Sequence, residues 1–275
     1  MSKQRVVIFG KNGQVGSELV QILQENSQFE FQAFGSKDVD FSNIKELQHF
    51  LENIKDKPNY IINSAAYTNV DKAEDEKELA DLINHKAVEI IAKFCQKNNI
   101  TLIHYSTDYV FDGSGSEPFY KDNTKNLNPI NHYGKTKLDG EKAIIKSGCK
   151  YYIFRTSWVY SKNPNHKNFV NTIKKLAKER EELNIIDDQI GAPTNAEFIA
   201  TKTIKIIMDA KLKSGIYHLT GQKNMSWYEF AKEIISEELK NGEKLLVKKI
   251  NPIKSKDYKT KAKRPMNSKL KNNFI

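Results

Sequence analysis

The sequence predicts an α/β fold built around a doubly wound parallel sheet. Short apolar runs of strand length, at 5–9, 29–34, 60–63 and 100–105, alternate with segments that repeat apolar residues at helical spacing. This alternation is typical of parallel strands joined by crossover helices. A glycine-rich turn, 10–16, directly follows the first run, at the strand-to-helix junction where folds of this class bind ligands.

The glycine turn has the composition of a pyrophosphate-binding loop. Gly10, Gly13 and Gly16 are spaced Gly-x-x-Gly-x-x-Gly, and a helical pattern with Leu19 and Leu23 on one face follows. Residues without a Cβ let the backbone approach an anion closely, and the helix N-terminus presents unpaired N–H groups to it. The first two glycines are one residue further apart than in the usual dinucleotide fingerprint. Strand, turn and helix together still predict a Rossmann-like nucleotide-binding unit.

The end of the second strand bears on which dinucleotide would bind. An acidic residue near this point usually holds the adenosine ribose. Here Ser36 and Lys37 come first, and Asp38 follows them. Because a hydroxyl and an ammonium can receive a 2′-phosphate, the sequence favours NADPH and leaves NADH open.

The following elements continue the alternation. A helix is expected at 44–54, and the third strand runs into the small residues at 64–68, where a flat cofactor could lie close to the backbone. The acidic residues at 71–76 suit the first turn of a long amphipathic helix that reaches Phe94. Asn84 in that helix is either a polar site residue or a structural contact to the sheet.

The fourth strand ends in Ser106, Thr107 and Asp108, at the sheet edge where ligands bind. Thr107 there could hydrogen-bond a substrate carbonyl, although Thr at a strand end is often a simple turn residue. Tyr133 and Lys137 follow at i and i+4 in a segment that opens a helix, so they share a face. An adjacent ammonium favours the phenolate, so we expect Lys137 to lower the pKa of Tyr133. The pair occurs by chance in many helices, and its weight comes from the motifs around it.

Beyond the fifth strand the chain builds a second, smaller α/β part. The predicted elements are helices at 166–182 and 197–208, strands at 183–186 and 215–219, and a helix that starts at the capping-box pair Ser226 and Glu229. We expect residues 1–157 to form an NAD(P)-binding domain and 158–275 to form mainly a substrate-binding domain, with segments that interleave.

Composition excludes several classes of protein. No apolar run approaches the ~18–20 residues that span a bilayer, and the basic N-terminus leads straight into a strand, so no membrane segment or signal peptide is expected. Cys95 and Cys149 give neither a disulfide framework nor a metal spacing. The sequence therefore favours a cytoplasmic protein.

The net charge of +10 raises the question of a nucleic-acid partner. Most lysines and arginines are spread along the predicted helices, and the one local concentration is at 248–271. A solvated surface, or an anionic small molecule such as a nucleotide diphosphate, is favoured over nucleic acid.

Six stretches, in chain order, resemble the extended short-chain dehydrogenase/reductases and, among them, the dTDP-4-dehydrorhamnose reductase family: 10–16, 106–111, 133–137, 154–160, 188–194 and 264–268. The resemblance covers nearly the whole chain, which makes it more specific than any single motif. It implies an NAD(P)H-dependent oxidoreductase that reduces dTDP-4-dehydro-β-L-rhamnose to dTDP-L-rhamnose. This is the last step of dTDP-rhamnose synthesis for cell-surface polysaccharide.

The resemblance also implies roles for single residues. Hydride would pass to C4 of the keto sugar while Tyr133 donates a proton, Lys137 holds the nicotinamide ribose and Thr107 polarises the carbonyl. The cofactor residues that it implies are Gly13, Gln14, Val15, Asp40, Phe41, Ala66, Tyr67, Thr68, Tyr105, Tyr133 and Lys137, which join Gly10, Gly16, Ser36 and Lys37 from the arguments above. The nucleotide-sugar would meet Thr107, Asp108, Trp158, Arg264, Asn267 and Ser268. Arg264 suits the paired phosphates, and Trp158 is either a flat surface for the substrate or an ordinary core aromatic.

Some points stay open at this level. Certain relatives bind Mg²⁺ at a dimer contact; Glu18 and Glu197 match two of the acids used there, and the third belongs to a C-terminal stretch with no counterpart here. No metal ligand is therefore predicted, and both Mg²⁺ and a homodimer are left open. The alternatives are a sister nucleotide-sugar 4-ketoreductase and a non-catalytic regulatory subunit like the methionine adenosyltransferase β subunit. The presence of Thr107, Tyr133 and Lys137 together argues against the regulatory role.

Overall fold

Strands and helices alternate along the chain. The computed structural model describes residues 3–209 and 211–272. Its strands are, in chain order, β1 (Gln4–Phe9), β2 (Phe29–Phe34), β3 (Tyr60–Asn63), β4 (Thr101–Thr107), β5 (Tyr151–Thr156), β6 (Val159–Tyr160), β7 (Glu182–Ile186), β8 (Ile190–Gly191), β9 (Thr194–Asn195), β10 (Gly215–His218), β11 (Met225–Ser226), β12 (Lys249–Ile253) and β13 (Asn267–Ser268). Its α-helices are α1 (Gln14–Gln24), α2 (Ile44–Glu52), α3 (Lys77–Asp81), α4 (Ala87–Lys97), α5 (His132–Ser147), α6 (Phe169–Glu179), α7 (Ala196–Asp209) and α8 (Trp227–Lys240).

The central sheet of the described residues has the strand order β10-β5-β4-β3-β1-β2, and its pairings are parallel. The chain passes from β1 to β2 on one side and then returns to β3 on the other, so the strand order reverses between β1 and β3. In doubly wound sheets, ligands bind in the crevice at this reversal, outside the carboxyl ends of the strands. The predicted Rossmann-like fold is confirmed.

The central sheet is covered on both faces, which explains why its strands read as continuous apolar runs. Val7 and Phe9 of β1 pack into one hydrophobic core together with α2 and α4. Val6 and Ile8 point the other way, into a second core shared with α1 and α7. Within the described residues, no helix combines the length and apolar character needed to cross a bilayer.

The second part of the chain has a core of its own, formed by α6, α8 and the parallel pair β7 and β12. The predicted capping box is present: the Ser226 hydroxyl accepts from the Glu229 N–H at 3.0 Å, and the Ser226 N–H donates to the Glu229 carboxylate at 2.8 Å. Between these pieces the chain returns to the central sheet as β10, and α7 packs against α1. The division at 157/158 stays a prediction.

The prediction of one continuous helix from 71 to Phe94 is wrong. The structure has a 3₁₀ turn at Lys72–Glu74, then α3, a π-helical segment at Leu82–Lys86, and α4. The π segment allows Asn84 to face inward, where its side chain binds the backbone after β3. The helix expected at 166–182 is shorter at both ends: the Asn168 side chain caps its first turn by accepting from the Asn171 N–H at 2.9 Å, and the helix ends at Glu179, before β7 begins at Glu182.

Candidate active site

The glycine turn lies at the carboxyl end of β1, beside the strand reversal. Gly10 has a φ of +86°, and a Cβ there would lie 2.6 Å from the Ala65 backbone nitrogen. A Cβ on Gly16 would lie 2.0 Å from the Gly10 carbonyl oxygen. The amino end of α1 carries no side-chain cap, since Gly13 occupies the cap position. The turn therefore combines close backbone packing with helix N–H groups that can face an anion, which suits a pyrophosphate.

Two further predicted cofactor residues in this turn have protein partners. The Gln14 carboxamide accepts from the Ser161 N–H at 2.8 Å and from the Asn168 side chain at 2.9 Å, so it ties the turn to the loop after β6. Val15 is half-buried against the core that contains α1 and α7. Gln14 thus fixes the position of the glycine turn relative to the second part of the chain.

The end of β2 contains a charged contact that the sequence argument missed. Asp38 accepts from the Gly35 N–H at 2.7 Å and pairs with the Lys11 ammonium at 2.8 Å, and both contacts hold the pKa of Asp38 below its usual value. Ser36 and Lys37 are exposed beside this pair. Lys11 lies inside the glycine turn, which was the available signal for a second cation at this edge.

The predicted residues Asp40 and Phe41 follow in the same loop. Asp40 is exposed, and its carboxylate accepts from the Ser42 N–H at 2.8 Å. Phe41 is buried, with its ring 5.3 Å from that of Phe9 in an edge-to-face contact. Phe41 therefore anchors this loop to β1.

Asn84 fixes the loop that carries Ala66, Tyr67 and Thr68. Its carboxamide accepts from the Tyr67 N–H at 2.9 Å and donates to the Tyr67 carbonyl at 3.0 Å and to the Thr136 hydroxyl at 3.1 Å. The side chain is only 1% exposed. Of the two roles considered for Asn84, the structure supports the structural one: it joins the loop after β3 to α5.

Tyr133 and Thr107 meet where α5 begins beside the end of β4. The Asn131 side chain caps α5 by accepting from the Gly134 N–H at 2.8 Å. A Cβ on Gly134 would lie 2.2 Å from the Tyr109 carbonyl oxygen, so glycine lets the helix start pack against the turn after β4. The Thr107 hydroxyl donates to the Asp108 carboxylate at 3.1 Å and lies beside the Tyr133 hydroxyl, and the rings of Tyr109 and Tyr133 lie 5.6 Å apart.

The electrostatics around Tyr133 differ from the sequence expectation. Burial raises the pKa of Tyr133, and the charge of Asp108 raises it further, whereas the Thr107 hydrogen bond opposes the rise. The expected lowering by Lys137 is not found, because the Lys137 amine is turned elsewhere: it donates to the Tyr105 carbonyl at 2.7 Å and lies 3.1 Å from Nε2 of His104. The phenol is therefore protonated at neutral pH, which is the form that can donate a proton.

Lys137 is itself deeply buried, at 2% exposure. Burial lowers its pKa to about 8, against the charge of Glu141, which raises it. An amine with such a pKa changes charge near neutral pH, so its immediate neighbours decide which form it takes.

The buried side chains of Asp108 and Ser268 meet beside Thr107. Burial raises the pKa of Asp108 to about 6, although hydrogen bonds with Ser268 and Thr107 act in the other direction. Asn267, the neighbour of Ser268, is turned away, and its side chain donates to the carbonyls of Ser114 at 3.3 Å and Glu117 at 2.8 Å. Asn267 therefore holds the 113–117 loop in place.

Trp158 and Arg264 each have a protein partner in the structure. The Trp158 indole stacks on Trp227 with ring centroids 3.5 Å apart, and a Cβ on Gly191 would lie 2.4 Å from it. The Arg264 guanidinium donates to the Asp71 carboxylate at 2.6 Å, and it also hydrogen-bonds the Tyr109 hydroxyl. Arg264 thus contacts Tyr109, whose ring packs against that of Tyr133.

A buried ionic cluster lies between α5 and the strands β4 and β5, next to this site. The sequence argument missed it. Arg155 donates to both oxygens of the Glu141 carboxylate, at 2.9 and 2.6 Å, and the Ser106 hydroxyl donates to the same group at 2.5 Å. Arg155 and Glu141 are each 1% exposed. A charged residue inside the apolar run of β5 was the available signal. The cluster fixes α5 against β4 and β5, one residue from Thr107 and one helical turn from Lys137.

Among the described residues, no group of three or more His, Cys, Asp or Glu side chains is placed to hold a metal ion. The Glu18 carboxylate accepts from the Ser161 hydroxyl at 3.3 Å. Glu18, one of the two acids considered for Mg²⁺, therefore contacts a residue of its own chain.

Comparison with known proteins identifies the family. A family model described as "RmlD substrate binding domain" matches residues 4–275. The chain belongs to this family. The family resemblance drawn from the motifs is thereby confirmed.

Two bacterial proteins are similar to this chain over most of their length. The dTDP-4-dehydrorhamnose reductase of Escherichia coli (strain K12) is 43% identical over 270 residues, which are 96% of this chain and 88% of that protein. The spore coat polysaccharide biosynthesis protein SpsK of Bacillus subtilis (strain 168) is 35% identical over 271 residues, with 98% and 90% covered.

A solved structure of the same kind has nearly the same fold. The dTDP-4-dehydrorhamnose reductase of Bacillus anthracis, solved in complex with NADP, superposes with a TM-score of 0.89 at 36% identity, covering 98% of this chain and 91% of that one. The UDP-glucose 4-epimerase of Thermus thermophilus, at 14% identity and a TM-score of 0.75, shares the fold.

Proposed function

We propose that this protein reduces dTDP-4-dehydro-β-L-rhamnose to dTDP-L-rhamnose with NADPH, in the cytoplasm, as the last step of dTDP-rhamnose synthesis. The observation that carries the proposal is the contact of Tyr133 with Thr107 at the carboxyl edge of the sheet, beside an uncapped glycine turn. The 43% identity with a dTDP-4-dehydrorhamnose reductase supports this choice of substrate.

The cofactor would lie across the strand reversal, with its pyrophosphate at the glycine turn and the amino end of α1. Lys11, Ser36 and Lys37 would receive the 2′-phosphate, because two ammonium groups and a hydroxyl surround that edge. A similar protein of known structure was solved with NADP, which agrees with this choice. The bound cofactor supplies the hydride for C4 of the sugar.

Tyr133 donates the proton that converts the C4 carbonyl into a hydroxyl. The buried phenol is neutral at neutral pH, and its hydroxyl lies beside that of Thr107. Thr107 aligns the carbonyl oxygen between the two hydroxyls. General acid help of this kind is typically worth about 10²–10⁴-fold in rate.

The nucleotide-sugar would enter beside Asp108, Ser268 and Arg264. Arg264 can bind paired phosphates bidentately, which requires it to exchange its present partner Asp71 for the substrate. The stacked Trp158 and Trp227 rings give a flat apolar wall next to this point. Charge and shape here fit a nucleoside diphosphate joined to a deoxysugar.

The proposal is tested by supplying enzymatically generated dTDP-4-dehydro-L-rhamnose and following the oxidation of NADPH and NADH in separate reactions. We expect consumption of the reduced cofactor in step with formation of dTDP-L-rhamnose. Consumption with a different 4-keto nucleotide-sugar alone would assign the protein to a sister ketoreductase. No consumption with any such sugar would contradict the enzymatic role and favour a regulatory one.

A further inference from the structure

His104 is a fully buried residue of β4 that the proposed mechanism does not use. Its imidazole lies between two polar partners: Nδ1 is 3.2 Å from the Asn63 carboxamide nitrogen, and Nε2 is 3.1 Å from the Lys137 amine. Asn63 and Lys137 are also buried, at 1% and 2% exposure. The three side chains form a closed row from β3 through β4 to α5.

The direction of the hydrogen bonds in this row is fixed at its Asn63 end. The Asn63 carboxamide oxygen accepts from the Ala65 N–H at 3.1 Å, and only the oxygen of an amide can accept. The amide NH₂ group must then face His104, so Nδ1 of His104 is an acceptor and carries no proton. A neutral imidazole with a bare Nδ1 has its proton on Nε2.

This tautomer has a consequence for Lys137. The Nε2–H group of His104 points at the Lys137 amine, and an ammonium has no lone pair with which to accept it. A neutral amine can accept from His104 and still donate to the Tyr105 carbonyl at 2.7 Å. The row is therefore complete only when Lys137 is uncharged.

The other groups around Lys137 do not reverse this preference. Glu141, one turn further along α5, is the carboxylate that favours the ammonium, but Arg155 of β5 and Ser106 of β4 already bind its oxygens. Tyr133, one turn back on α5, is a neutral phenol, and Asn63 of β3 carries no charge. Burial lowers the pKa of Lys137 to about 8, which brings its loss of charge closer to neutral pH, and burial lowers the pKa of His104 well below its usual value, so the imidazole is neutral.

We propose that His104, with its tautomer fixed by Asn63, is a positioning residue that donates its Nε2–H group to the Lys137 amine and so favours the neutral form of Lys137 in the cofactor-free protein. The kinetic part of this inference rests on the proposed reductase function, in which Lys137 holds the nicotinamide ribose and its charge enters the pH profile of turnover. The structural part does not depend on any activity.

The structural part is tested by nitrogen NMR of histidine-labelled, cofactor-free protein at neutral pH, with the His104 signals assigned by their loss in His104→Gln. We expect a protonated Nε2 and a bare Nδ1. A proton on Nδ1, or on both nitrogens, would overturn the proposal even if the protein proves to have no reductase activity.

The kinetic part is tested with Asn63→Asp. One carboxylate oxygen can keep the bond to the Ala65 N–H while the other accepts from Nδ1, which moves the imidazole proton to Nδ1 and turns a bare Nε2 toward Lys137. The ammonium then gains a hydrogen bond to an acceptor, so the limb of the kcat/KM pH profile that reports Lys137 should move up by about one to two pH units.

The matched control is Asn59→Asp, which places the same carboxylate on an exposed residue just before β3 and should leave the limb in place. The limb should move only in Asn63→Asp, and the NMR signals of that variant should show a protonated Nδ1. A new carboxylate also raises the pKa of Lys137 by its charge alone, so Asn63→Asp is made in the His104→Gln protein as well. An unmoved limb in Asn63→Asp, or an equal movement when His104 is absent, would contradict the role of His104. Absence of turnover in the wild-type protein would instead contradict the proposed function, and the NMR result would then decide the inference alone.

Discussion

The buried pair of Arg155 and Glu141 should make an unusually large contribution to stability, which the substitution Glu141→Gln measures. The carboxylate accepts two bonds from Arg155, at 2.9 and 2.6 Å, and one from Ser106 at 2.5 Å. The amide of glutamine can replace one oxygen but offers NH₂ to the other donor and leaves the guanidinium charge unbalanced. Removal of one partner of a buried ion pair costs about 3–5 kcal/mol, so we expect the free energy of unfolding to fall by that amount.

The assay is urea unfolding followed by circular dichroism, with Glu89→Gln as the control. Glu89 pairs with Lys93 at 2.6 Å, but the lysine side chain is 63% exposed. Exposed helical pairs contribute about 0.3–0.5 kcal/mol, so the control should change little. Replacement of both partners, Glu141→Met with Arg155→Leu, should recover most of the loss, because no unpaired charge remains buried. A loss below about 1 kcal/mol in Glu141→Gln would refute the reasoning, since such a value is typical of a solvated pair.

Three further predictions concern the ligand sites. Gly16→Ala should abolish cofactor binding in a fluorescence titration, because its Cβ would lie 2.0 Å from the Gly10 carbonyl oxygen; normal binding would show that the turn is not the pyrophosphate site. Lys11→Ala should raise KM for NADPH more than KM for NADH, and equal changes in the two would remove Lys11 from the 2′-phosphate site. Asp108→Asn should change the pH dependence of stability. Burial raises the pKa of Asp108 to about 6, so the folded state binds more protons than the unfolded state between pH ~4 and ~6. The free energy of unfolding of the wild-type protein therefore falls by about 3 kcal/mol as pH rises through that window. In urea titrations across this window the variant should lose that component, and an unchanged dependence would show that Asp108 is not the group responsible.

Much of the fold could be predicted because local patterns determine it. The second and third strands were predicted with their observed bounds, since the second alternates Phe29 and Phe31 with polar residues and the third is a short apolar run that ends at Asn63. The capping box at Ser226 and Glu229 spans only four residues and was predicted equally well. In contrast, the π segment around Asn84 depends on bonds to Tyr67 and Thr136, which lie far away in sequence.

In the candidate site, too, some features could be predicted from local sequence and others could not. The positions of Thr107 and Tyr133 followed from motifs on adjacent elements, whereas the charge states at the site did not. Burial and Asp108 determine the pKa of Tyr133, and His104 takes the Lys137 amine that was expected to face the phenol. The pairing of Arg264 with Asp71 joins residues 193 positions apart, and no local pattern indicates such a contact.

The central claim, that Tyr133 is the proton donor of a reductase, is tested by the turnover of Tyr133→Phe. Oxidation of NADPH in the presence of dTDP-4-dehydro-L-rhamnose should proceed in the wild-type protein, and in the variant kcat should fall by about 10²–10⁴-fold. Affinity for NADPH should stay nearly unchanged, because the phenylalanine ring keeps the packing against Tyr109. A variant that turns over at the wild-type rate would contradict the account.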